Sequence, residues 1–133
     1  MTLHATGPFD VKTTAQDDKS ADPLLGRYML DKQYHGDLEA TGVGQMLTAG
    51  TTVKGSGAYV AIEKVTGSLK GFTGSFVLEH MGTMTENAPQ LEITIVPDSG
   101  TAGLKGIVGK MTITIAAGGK HSYDLEYTLP KGD

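Results

Sequence analysis

Glu63, His80 and His121 are the side chains of this chain best suited to acid and base chemistry. A carboxylate among apolar neighbours and a histidine within reach can share the transfer of a proton α to a carbonyl or allylic to an alkene. The carboxylate serves as base and the imidazole as acid or oxyanion donor. Glu63 lies in an apolar run with Tyr59, Ala61 and Val65 at alternate positions. If that set points inward, Glu63 is buried, which is costly unless the charge is paired or neutralised, and its pKa rises. If Val60 and Ile62 point inward instead, Glu63 stands in solvent, and periodicity leaves both readings open. His80 shares a face with Phe76 and Leu78, and His121 shares one with Tyr123, Leu125 and Tyr127. Both histidines thus sit at the ends of apolar faces. Their plainer use there is as hydrogen-bonded structural residues.

A second set bears on binding. Tyr28, Tyr34, Tyr59, Phe76, Tyr123 and Tyr127 fall on alternating faces and can line a pocket, the hydroxyls giving polar anchors in an apolar wall. The same rings can instead fill the interior. His4, His35, His80 and His121 lack paired spacing and a nearby carboxylate motif, so no metal site and no cofactor are expected. The series Gly103, Gly106 and Gly109 lies within predicted strands rather than between a strand and a helix, against a phosphate loop. Ser99 and Ser122 lack the strand, turn and helix of a nucleophile elbow.

The elements that must position these residues are strands. Phe9, Val11 and Thr13 alternate with Asp10, Lys12 and Thr14, the period of a half-buried strand, and predict a first strand over residues 3–14. Residues 15–23 read as a polar surface loop closed by Pro23. Further strands are predicted over 24–35, with Tyr28, Leu30 and Tyr34 on one face, and over 38–48 and 54–65. The last of these is apolar on both faces apart from Glu63 and Lys64. The stretch 67–84 follows, and its Leu69, Lys70, Gly71, Gly74, Phe76 and Leu78 return as Leu104, Lys105, Gly106, Gly109, Met111 and Ile113. Glycines entering an alternating run suit a sharply bent strand, and both copies are read as curved strands of a closed sheet. Residues 85–90 read as a polar break, 91–95 as a strand, and 121–129 as a last strand after the reversal at Gly118 and Gly119. No segment pairs a helical period with a cap. An all-β fold follows: one eight-stranded antiparallel meander barrel spanning residues 1–133, closed because an open sheet of that size would leave edges prone to association.

Composition removes whole classes of function. A net charge of −4 with no basic run opposes nucleic-acid binding. Without cysteine there is no disulfide framework, thiolate nucleophile or thiolate metal site. The 19 glycines in 133 residues are about twice the usual share and are scattered through apolar segments, unlike a linker. No stretch has the length of a membrane span, and the first residues lack a basic region followed by an apolar core, so a soluble cytoplasmic protein is expected.

Four stretches, residues 57–71, 74–84, 96–106 and 121–129, together resemble a bacterial family of small proteins of unknown function, grouped with the allene oxide cyclase-like β-barrels. The likeness covers nearly the whole chain and implies an eight-stranded antiparallel barrel. The plant cyclases of that grouping rearrange an unsaturated fatty-acid epoxide with a catalytic set that includes a cysteine, which this chain does not have. Fold likeness alone does not carry a reaction across.

An eight-stranded barrel is just wide enough to be filled or to hold one small ligand. Three readings follow: a barrel binding an apolar or amphipathic small molecule; a packed barrel that forms a homo-oligomer through Val60 and Ile62, or Met81 and Met84; and an isomerase or cyclase using Glu63 with His80 or His121.

Overall fold

The computed structural model describes residues 2–16 and 22–130. Those residues form nine strands and no helix: β1 (Leu3–Ala15), β2 (Leu25–Tyr34), β3 (Leu38–Gly50), β4 (Gly57–Leu69), β5 (Phe72–Thr85), β6 (Ala88–Ile95), β7 (Thr101–Ala102), β8 (Val108–Ile115) and β9 (His121–Thr128). Each long strand pairs antiparallel with the next long strand, and β1 pairs with β9, so eight strands close into a meander barrel. The two-residue β7 is an addition, paired with Gly74 and Ser75 of β5 where β6 has already left it. Most of the predicted loop at 15–23 lies outside the described residues.

Alternation decides the inward set as expected for pleated strands. On β4, Ala61, Glu63 and Val65 are buried while Val60 and Ile62 are half exposed. One half of the lumen is solid: Tyr34, Leu38, Leu69, Phe76, Leu125 and their neighbours form a continuous core. The connection between β6 and β8 closes this end, its Leu104 and Ile107 buried against that core. Tyr123 ties the same end together. Its hydroxyl accepts from the Leu38 amide at 2.9 Å and donates to the His35 carbonyl at 2.7 Å. The exterior carries exposed charges such as Asp10, Lys12, Asp31 and Lys64, where a lipid-facing band would need apolar side chains.

The repeated Leu-Lys-Gly unit differs from its reading as curved strand. In the first copy Lys70 and Gly71 are the reversal between β4 and β5, with φ of 47° and 90°, the two left-handed positions of a tight hairpin turn. In the second copy residues 103–106 are again turn, with Gly106 at φ 85°. The repeat is therefore a turn whose leucine plugs the closed end and whose following strand returns along the wall. The expected polar break at 85–90 is a second such reversal: Thr85 pairs with Ala88, leaving Glu86 and Asn87 at positive φ, so the strand after it begins earlier than alternation of Leu91, Ile93 and Ile95 suggests. A short side chain that bonds its own backbone tolerates this region better than most, which accounts for the asparagine.

A Cβ built on Gly71 would meet nothing within 4 Å, so substitution there isolates the backbone term. Gly71→Ala is expected to lower stability by about 1 to 2 kcal/mol, with Gly71→Asn losing less, in urea unfolding. An alanine variant as stable as wild type would contradict the turn.

Candidate functional site

The other half of the lumen is hollow. A cavity of about 540 Å³ opens at the end of the barrel opposite the Leu104 plug, walled by inward side chains that include Val11, Leu30, Met46, Leu91, Ile113 and Ile115. At its floor Lys32 and His80 border it and meet the wholly buried Glu63.

β3 is the reason these groups can meet. Lys32 and Tyr34 project inward from β2 and Glu63 from β4, with β3 between them, and β3 carries glycine at 42 and 44 in that stretch. A Cβ on Gly42 would stand 2.1 Å from Glu63 Oε2 and 3.1 Å from the Tyr34 ring, so the missing side chain is the space the carboxylate occupies. Across it, Lys32 Nζ donates to Glu63 Oε1 at 3.0 Å and the Tyr34 hydroxyl donates to Oε2 at 2.5 Å. From β5, His80 Nε2 lies 2.9 Å from Oε1. The Lys32 ammonium also sits 5.3 Å above the Phe9 ring and 5.8 Å from that of Tyr34, close enough for cation–π attraction.

Burial pushes the Glu63 carboxyl up, but the His80 hydrogen bond, the Lys32 charge and the Tyr34 hydrogen bond outweigh it and hold the group below the usual carboxylate range. The expected rise is thus reversed, because Lys32 and Tyr34 on β2 and His80 on β5 more than offset burial. Burial, then the charge and hydrogen bond of Glu63, push the Tyr34 hydroxyl far above its ordinary value, so it stays a donor. Tyr59 is raised by burial and by Glu63. An ionised carboxylate only accepts, so His80 Nε2 carries the proton and donates to Glu63. In neutral His80 that leaves a lone pair on Nδ1. Of the two, His80 is the available base, and Glu63 orients it and balances Lys32.

His121 does not join this group; it borders the cavity higher up, its ring 5.2 Å from Phe9. Of the six aromatic residues considered for binding, Tyr59 borders the cavity and lies 6.3 Å from His80. Tyr34 lies under the floor, and Phe76, Tyr123 and Tyr127 belong to the solid half. Tyr28 is half buried on β2 and does not border the cavity. Sequence reasoning passed over Lys32, although its place between Leu30 and Tyr34 gives it their inward face. Among the described residues no three His, Cys, Asp or Glu side chains gather as metal ligands. Beside Glu63 and His80, the Lys32 ammonium occupies the place a cation would need.

Glu63→Gln removes the charge that balances Lys32 and is expected to cost about 3 to 5 kcal/mol at pH 7, while Lys32→Met with Glu63→Gln recovers most of the loss. The carboxyl is lower in the folded state, so its stabilising contribution is complete above the ordinary value of 4.5 and fades as pH falls through the folded-state value. The gap between wild type and Glu63→Gln in urea unfolding should therefore narrow at pH 3. An undiminished gap, or a double variant no better than the single one, would contradict the network.

Residues 5–127 match the family model described as "Protein of unknown function (DUF3224)". The crystal structure of a protein of unknown function from that family, from Shewanella oneidensis MR-1, is 43% identical over 99% of this chain and 100% of its own, with a TM-score of 0.93. No curated protein matches the chain. A family match over most of the sequence, joined to the same barrel in a relative of this identity, places the chain in the DUF3224 family of proteins of unknown function.

Proposed function

We propose that this protein binds a small apolar or amphipathic molecule in the open half of its barrel. The observation that carries the reading is the division of the lumen. A solid core fills one half, while the other keeps a cavity of about 540 Å³, in the size range of small-molecule sites, with mostly apolar walls and the Lys32 and His80 pair at its floor. An isomerase or cyclase with Glu63 as base has less support, because a carboxylate held below its usual range by three donors is a weak base near neutral pH. Proton transfer in this site would fall to His80.

A second reading, a homodimer, rests on the outer face. Pairing across the sheet lines up Arg27, Leu47, Val60, Met81 and Glu92 in one row from β2 to β6, all of them exposed. The row has an apolar centre, a cation at one end and an anion at the other. A twofold axis through Val60 sets Leu47 against the second copy's Met81 and Arg27 against its Glu92, so the strip is complementary to itself. Ile62 widens the apolar centre on the next row.

The binding reading predicts that the fluorescent apolar probe N-phenyl-1-naphthylamine is taken up at one site per chain. Met46→Trp, which fills the cavity from β3, should weaken uptake at least tenfold without loss of cooperative unfolding. Equal uptake by a folded Met46→Trp variant would refute it. The dimer reading predicts twice the chain mass in sedimentation equilibrium, reduced to one chain by Arg27→Glu and restored by Arg27→Glu with Glu92→Arg. A wild-type monomer at all concentrations would exclude this interface.

A further inference from the structure

The floor of the cavity limits which head group a ligand can carry, and this inference rests on the binding reading above. Lys32 has three N–H donors, and among the described residues one hydrogen bond uses them, that to Glu63 Oε1. It also lies near the rings of Phe9 and Tyr34, which attract the cation without accepting a full hydrogen bond. The side chain is 5% exposed and borders the cavity, so an acceptor for the remaining donors has to arrive through that cavity.

Charge decides the kind of acceptor. The titratable groups at the floor are Lys32, Glu63, His80, Tyr34 and Tyr59, and the ionised Glu63 already balances Lys32. With His80 neutral, the cluster has no net charge. A ligand carboxylate on Lys32 would bring a second anion beside Glu63 within mostly apolar walls, and a ligand ammonium would bring a second cation beside Lys32. A neutral oxygen satisfies the free donors and disturbs neither balance. His80 cannot substitute as donor through Nε2, which is held by Glu63.

We propose that the cavity takes an uncharged apolar molecule bearing one accepting oxygen, a ketone, aldehyde or ester, with that oxygen on the Lys32 ammonium and the apolar remainder toward the mouth, and that it rejects the matching acid anion and amine. A hydrogen bond from a charged donor is worth roughly ten- to a hundredfold in affinity.

The test is displacement of N-phenyl-1-naphthylamine at pH 8 by octan-2-one, oct-1-ene, octanoate and octylamine, a series of one length with four head groups. The ketone should compete at concentrations at least tenfold lower than the other three. Lys32→Met combined with Glu63→Gln, which removes the ammonium without stranding a charge, should bring the ketone to the level of the alkene. Octanoate or octylamine competing as well as the ketone would overturn the proposal, as would a double variant that still prefers the ketone. Probe uptake without head-group preference refutes this inference alone. No uptake by wild type refutes the binding reading and this inference with it.

Discussion

An ionised carboxylate sealed inside a barrel is the constraint from which the rest of this molecule follows. Glu63 is wholly buried, and a bare charge there would be expelled or neutralised. It stays because three donors converge on its two oxygens, from Lys32, Tyr34 and His80. Each of those donors has its own requirement. Lys32 needs an anion, the Tyr34 hydroxyl needs an acceptor at the top of a packed core, and His80 needs one partner to fix its proton. A single carboxylate meets all three demands, so none of the four can change without exposing the others. Every buried polar side-chain atom among the described residues has a partner.

The cluster also marks the boundary between two kinds of interior. Below it, rings and aliphatic side chains fill the lumen around Tyr34 and Phe76. Above it, Val11, Met46, Thr48 and Gly82 line the cavity instead. A polar layer between a core and a void serves both, because it gives the core a satisfied upper surface and gives the void a floor able to recognise something. The glycines of β3 make that layer possible by letting two strands touch across a third.

Much of this was legible in the sequence, and the exceptions have physical causes. The strands follow from period-two alternation and their closure from the cost of open edges, and Glu63 shares a parity with Tyr59, Ala61 and Val65. Lys32 was equally legible from Leu30 and Tyr34, but a lysine in an alternating strand reads as surface unless a partner is in view, and the partner lies two strands away. The lowered carboxyl was out of reach for the same reason, since its sign depends on neighbours distant in the chain. The turn at Lys70 and Gly71 was hidden because the flanking residues alternate straight through it, and Glu86 and Asn87 offer no glycine to mark a left-handed reversal. The cavity depends on the summed volumes of side chains from all eight walls, a quantity that no single strand carries.

The ring of strands is completed by the join of β1 to β9, where Ala5 faces Leu125 and His4 reaches Asp124, 120 positions along the chain. Every other seam joins long strands that follow one another and can zip as soon as both exist. This one must wait until β9 has been made. During synthesis β1 therefore spends the longest time with an open edge, and the final latch is the slow, non-local event on which closure depends. Newly made chains are most exposed to mispairing in that interval, and a neighbouring copy offers β1 the same edge that its own β9 will later supply.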